Sequence, residues 1–188
     1  MHAMDRDPVL LVRSIALLAV VMAASAGMLR AVDAVARSAT EPEGGRSYGS
    51  VAEAERGLRT RLSLPAYFPA RLRWPPTRVL GTGRGQGAVV LSFAAQDGGE
   101  ELLIGQTLAG NGPLPEGLWP PAVVLETSPV DACGDVAWGG TLARIHAGDG
   151  SLWHEVSCAQ AGRSVVLRSR GPTRELLRMA ESVRREGP

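Results

Sequence analysis

The chain has 188 residues, a formal net charge of +1 and 20 basic side chains, every one of them arginine. So small a net charge supplies no global field to steer the protein to nucleic acid or to an acidic surface. Without lysine, Schiff-base chemistry and a phosphate-loop lysine are both excluded. The length suits one domain plus a non-globular N-terminal portion, with enough residues after the first 45 to bury roughly two-thirds of the unfolded surface in one core.

Ser14 to Leu29 is an uncharged 16-residue run between Arg13 and Arg30. As a helix it would reach about 24 Å, short of a hydrocarbon core of about 30 Å. Two readings fit. In one, residues 10–30 form a single membrane anchor, extended by Val9 to Val12 with Arg13 snorkelling to the headgroups. In the other, Arg6 and Arg13 are the basic end of a cleaved signal peptide, Ile15 to Ala23 its apolar centre and Ala24-Ser25-Ala26 its cleavage site. Either reading exports the rest of the chain, so the expected location is periplasmic or otherwise extracytoplasmic. The expected organisation is 1–37 signal peptide or anchor, 38–49 flexible linker and 50–188 an extracytoplasmic domain.

Ser50 reads as an N-cap, with Glu53 completing a capping box and a helix running to about Leu62. Pro65, Pro69, Pro75 and Pro76 break the next stretch into turns, leaving Tyr67, Phe68 and Trp74 as candidate core anchors. Val89 to Ala94 and Glu101 to Leu108 read as strands joined by Gln96-Asp97-Gly98-Gly99, a hairpin signal. Asn111 to Pro121 is a Pro/Gly-rich loop, Val123 to Leu125 a short strand and Ser128 to Asp135 a loop. Thr141 to His146, Ser151 to Cys158 and Ser164 to Arg170 form a predicted antiparallel meander. Pairing His146 with Ser151 would set Arg144 opposite Trp153, a cross-strand cation–π pair. After Gly171-Pro172 the period shifts to 3.6, with Leu176, Met179, Ala180 and Val183 on one helix face. The expected class is α+β: a mostly antiparallel sheet of five to seven strands, with helices at 50–62 and 173–185.

Several segments carry a family pattern: Leu64-Pro65-Ala66-Tyr67-Phe68-Pro69, Gly139-Gly140, Leu152-Trp153, Val165-Val166-Leu167, and Glu175-Leu176-Leu177 through Ala180-Glu181-Ser182-Val183. Across about residues 50–183 the chain resembles an uncharacterised extracytoplasmic domain of bacterial anti-sigma factors and sporulation-associated membrane proteins. The resemblance implies a domain lying beyond a membrane helix and brings no catalytic residues with it. The cytoplasmic sigma-binding domain of anti-sigma factors has no counterpart in residues 1–13, so anti-sigma activity is not carried over.

Three constellations invite a chemical reading. Gly81-Thr82-Gly83-Arg84-Gly85-Gln86-Gly87 precedes a strand rather than opening a helix and lacks lysine, so a loop is expected instead of a phosphate cradle. His154 and Cys158 would share a metal on a helix, but on a strand they stand about 13 Å apart. No Gly-x-Ser-x-Gly elbow accompanies His146 or His154. No cofactor and no metal are therefore expected. Arg163, Arg168, Arg170, Arg174, Arg178, Arg184 and Arg185 make the C-terminal quarter basic; Arg168 and Arg170 are expected on a solvated outer face, a surface for an anionic partner or lipid headgroups.

Cys133 and Cys158 are the only cysteines, and export favours their pairing. The expected ladder opposes it, because Cys158 falls opposite Gly139 and a bend near Gly134, Gly139 and Gly140 is required to close the bond. The leading expectation is a non-enzymatic interaction or sensory domain with an unknown protein or anionic partner. A lipid or lipophilic-ligand carrier and an unrecognised hydrolase are the alternatives. A carrier requires an enclosed apolar pocket; a hydrolase requires His146 or His154 in a cleft beside Ser, Cys or a carboxylate.

Overall fold

The computed structural model describes residues 45–83, 87–110, 112–131, 140–160 and 162–185. The Ser14 to Leu29 run, Arg84 to Gln86 and Cys133 lie outside them. Among the described residues no helix is long and apolar enough to cross a membrane.

The strands are β1 (Arg46–Tyr48), β2 (Ser63–Pro65), β3 (Arg78–Thr82), β4 (Ala88–Ala94), β5 (Glu100–Thr107), β6 (Ala122–Val130), β7 (Gly140–Ala147), β8 (Leu152–Gln160), β9 (Arg163–Ser169) and β10 (Val183–Arg185). The helices are α1 (Val51–Leu58) and α2 (Thr173–Glu181). One antiparallel sheet holds eight strands in the order β1-β3-β4-β5-β9-β8-β7-β6, and β10 pairs with β2 beside it. The α+β class and antiparallel sheet stand; the count of five to seven strands does not. Two strands of this sheet escaped the local signals, β1 inside the stretch expected to be linker and β3 after the proline-rich turns, as did β2 and β10 of the small sheet, expected as turn and helix. β1 and β3 are held by pairing, Tyr48 opposite Val79 and Val79 opposite Leu91.

Period-2 alternation sorts the core onto two faces. Val89, Leu91 and Phe93 of β4, Leu102 and Ile104 of β5, and Val165 and Leu167 of β9 meet Leu176, Met179 and Ala180 of α2 in the principal core. On the opposite face Leu80, Ala88, Val90 and Val166 lie under Leu114 and Leu118. Beside them, Leu103, Ala143, Ile145 and Trp153 form a third cluster. Trp74 is largely exposed yet stacks on Phe93, which Phe68 also touches.

Both helices are shorter than expected. At the start of α1, Ser50 Oγ accepts from Glu53 N at 3.1 Å and Glu53 Oε2 accepts from Gly49 N at 2.9 Å. The helix stops at Leu58 because Arg59 turns to φ 53°, its N–H bonding to the Glu55 carbonyl. Glu55 then accepts from Leu62 N at 3.0 Å, so Leu62 is buried from a loop. Beyond α2, Ser182 folds back, its N–H reaching the Arg178 and Met179 carbonyls, and the chain re-emerges as β10 against β2. Gln106 secures that small sheet by donating to Ser63 O at 2.6 Å and accepting from Ser63 N at 2.8 Å, as a neighbouring backbone would.

The β7–β8 register differs by one residue from expectation. Gly148-Asp149-Gly150 forms a three-residue loop with Gly150 at φ 76°, and Ala147 N donates to Ser151 O at 3.0 Å. A loop ending in a left-handed glycine is a preferred three-residue hairpin connection. His146 therefore faces Leu152, Arg144 faces His154 and Ile145 faces Trp153. The expected Arg144–Trp153 pair is replaced by Arg170 over the Trp153 ring at 4.7 Å. Cys158 lies opposite Gly140 rather than Gly139.

Candidate functional site

On the face away from the helices, the segment 112–121 closes over the sheet where β5 has no side chain. A Cβ at Gly105 would fall 2.9 Å from the Trp119 ring and closer still to Leu114, so glycine is required there for the segment to seat. Arg168, expected in solvent, is 4% exposed beneath this cover. Its Nε and Nη2 hold Glu155 Oε2 at 2.8 and 2.7 Å, and Nη1 donates to Pro120 O at 2.7 Å. Its guanidinium lies 4.7 Å from the Trp119 ring centroid, and Trp119 Nε1 donates to the same Glu155 oxygen at 3.3 Å. A buried charge is tolerated only when paired and hydrogen-bonded, and here each requirement is met. The arrangement is structural: it clamps the 112–121 segment to β8 and β9. Arg170, at the end of the same face, pairs with Asp149 at 2.8 Å.

The helix-side face is different at its β6 end. Helix α2 packs on β8 and β9, and β6 extends past it as an edge strand. Val123, Val124 and Leu125 are 66, 59 and 46% exposed. Val123 aligns with His146, which aligns with Leu152, so one row of this overhang is two exposed aliphatic residues flanking an exposed histidine. The expected strand Val123 to Leu125 is here, but it continues through Val130 where a loop was expected. Pro129 is compatible with that continuation because an edge strand needs donors on one side only.

The next row is polar. Across the slip at Leu125, Glu126 pairs with Arg144, Arg144 with His154, and His154 with Ser169. At a strand spacing of about 4.8 Å, four side chains thus share one line before the row turns apolar at Leu102 and Phe93. With Ser128, Leu142 and Thr173, three members of this row line a cleft of about 190 Å³. Glu126 and Arg144 face each other at 3.7 Å, both substantially exposed. Ser169 is fully buried and its Oγ accepts from Gly171 N at 3.0 Å, fixing the turn into α2. His154 Nδ1 is buried and has no hydrogen-bond partner among the described residues.

Of the residues singled out from the sequence, His154 lies in this cleft and His146 on the apolar row beside it. His154 and Cys158 share β8, four residues apart, so the strand geometry that separates them applies. Cys158 is buried next to Val156 and Val165 in the principal core; its expected partner, Cys133, lies outside the described residues. Glu126, Ser128, Arg144 and Thr173 were not singled out as a group, because only the ladder register and the seat of α2 bring them together. No protein-family model, curated protein or solved structure matches the chain.

Proposed function

We propose that the chain from β1 onward forms a non-enzymatic interaction domain, carried out of the cytoplasm by the Ser14 to Leu29 segment, and that this domain recruits an extended segment of a partner protein as an added strand on β6. The observation that carries the reading is the contrast between the sheet's two edges. At one, β1 is three residues long with Tyr48 buried. At the other, β6 offers nine residues, and its apolar first half, Ala122 to Leu125, lacks the devices that guard exposed edges. Charge, proline and the slip in register all fall at Leu125 or beyond it, at Glu126 and Pro129. Among the described residues no strand pairs with the outer side of β6, so strand addition gains main-chain hydrogen bonds there and side-chain recognition from Val123 and Leu152.

The hydrolase alternative draws support from one feature: His154 shares a cleft with Ser128 and Glu126. It ranks second because no hydrogen bond at Nδ1 among the described residues orients the imidazole. A catalytic base is held in one tautomer by a hydrogen bond at one ring nitrogen, and His154 Nδ1 has no such partner among the described residues. For the carrier alternative, hollows of about 520 and 550 Å³ lie beside α1 and α2, but Arg56, Arg59 and Arg61 line the first and Arg174, Glu175, Arg178 and Glu181 the second. Such linings suit water better than an alkyl chain.

A photocrosslinking residue at Val124 of the full chain in its native cells tests the proposal. One discrete adduct, lost when Val123 is changed to proline, is the expected result. Equal labelling from the β1 edge at Ser47, or an adduct indifferent to the proline, would overturn it.

A further inference from the structure

We propose that the cleft between β6, β7, β8 and the start of α2 is a binding site for a small monocarboxylate with a short alkyl tail. The inference is independent of what pairs with β6. Residues bearing three kinds of donor line it: Arg144 with a guanidinium, His154 with an imidazole, and Thr173 and Ser128 with hydroxyls. The planar guanidinium matches a carboxylate through two parallel hydrogen bonds.

Two further observations point to an anionic ligand. His154 carries a buried ring nitrogen with no partner among the described residues, whereas buried polar atoms ordinarily find one. Thr173, which lines the cleft, is also the first residue of α2, and Pro172 at the N-cap supplies no side-chain hydrogen bond. The first turn of that helix thus brings the positive end of its dipole to the same place.

Charge selects the class of anion. Glu126 stands 3.7 Å from Arg144 and offsets its charge across the cleft. A ligand competes with that carboxylate for Arg144, and a monocarboxylate adds only one further negative charge to the cleft. A phosphate dianion would leave an excess of negative charge. Leu142 provides an apolar wall, and about 190 Å³ is too small for a lipid but ample for a chain of a few carbons.

The test is titration of the full chain in detergent with sodium butyrate, monitored through the ring resonances of His154 and the Nε–H of Arg144. Saturable shifts at both are expected, with acetate weaker for want of the tail. Arg144→Gln should weaken butyrate about tenfold or more, as loss of a charge-assisted hydrogen bond does. Arg144→Lys should recover only part of that loss. Glu126→Gln removes the competing carboxylate and should tighten binding roughly threefold, an effect no structural role for Glu126 produces. Because Arg144 is half-exposed, the folded state should survive these changes, which thermal melting checks. Unsaturated shifts at millimolar butyrate, tighter binding of inorganic phosphate, or affinity unchanged in both Arg144→Gln and Glu126→Gln would each overturn the proposal.

Discussion

Removing Glu155 should cost far more than removing it together with Arg168. Glu155→Leu leaves the Arg168 guanidinium, whose side chain is 5% exposed, without its anion. Breaking a buried pair in this way costs about 3–5 kcal/mol. Arg168 keeps its bond to Pro120 O and its place over Trp119, so the lower end, about 3 kcal/mol, is expected. Arg168→Met preserves most of the volume and strands a carboxylate that is 18% exposed, close enough to water to cost less, about 1–2 kcal/mol. The double variant Glu155→Leu/Arg168→Met removes both charges and should lie within about 1 kcal/mol of the parent. Urea unfolding of the four proteins measures the cycle, with unchanged slopes confirming that the midpoints report stability. The expected coupling is about 3–5 kcal/mol. Additivity within about 0.5 kcal/mol would show that the two charges do not depend on each other and refute the clamp.

Gly105→Ala should destabilise by about 1–3 kcal/mol and expose the 112–121 segment to protease, because the new methyl group collides with Leu114 and Trp119; undiminished protection would show that the segment does not seat there. The Asp149 carboxyl is held below its ordinary value of 3.8, first by the Ser151 hydroxyl and then by the Ser151 amide, so its contribution is present above that value and lost as pH falls through the lower folded one. Ser151→Ala should raise the Asp149 midpoint in an NMR titration, and an unmoved midpoint would contradict the assignment. The expected Cys133–Cys158 disulfide predicts no thiol labelling of the purified protein under denaturing, non-reducing conditions; two free thiols per chain would count against both the bond and the proposed export.

Local chemistry was sufficient for the apolar runs of strands β4, β5 and β9, the Asp97-Gly98 turn and the Ser50 cap. Each depends on residues a few positions apart, whose side-chain period or backbone preference acts before the chain is folded. The apolar face of Leu176, Met179, Ala180 and Val183 was legible for the same reason, and all four are buried. Tertiary structure decided what local signals cannot carry. Val183 keeps its buried place but leaves the helix, because β2, more than a hundred residues earlier, offers it a ladder. Arg168 is buried because Glu155, Trp119 and Pro120 arrive from two other segments to satisfy it; its own strand neighbours say only which face it takes. The candidate site shows the limit most sharply. A strand has a side-chain period of two, so a loop of three residues instead of four between β7 and β8 changes every facing pair. That single residue places Arg144 beside His154 rather than Trp153, and with Glu126 and Thr173 it assembles a cleft from four segments that share no sequence pattern.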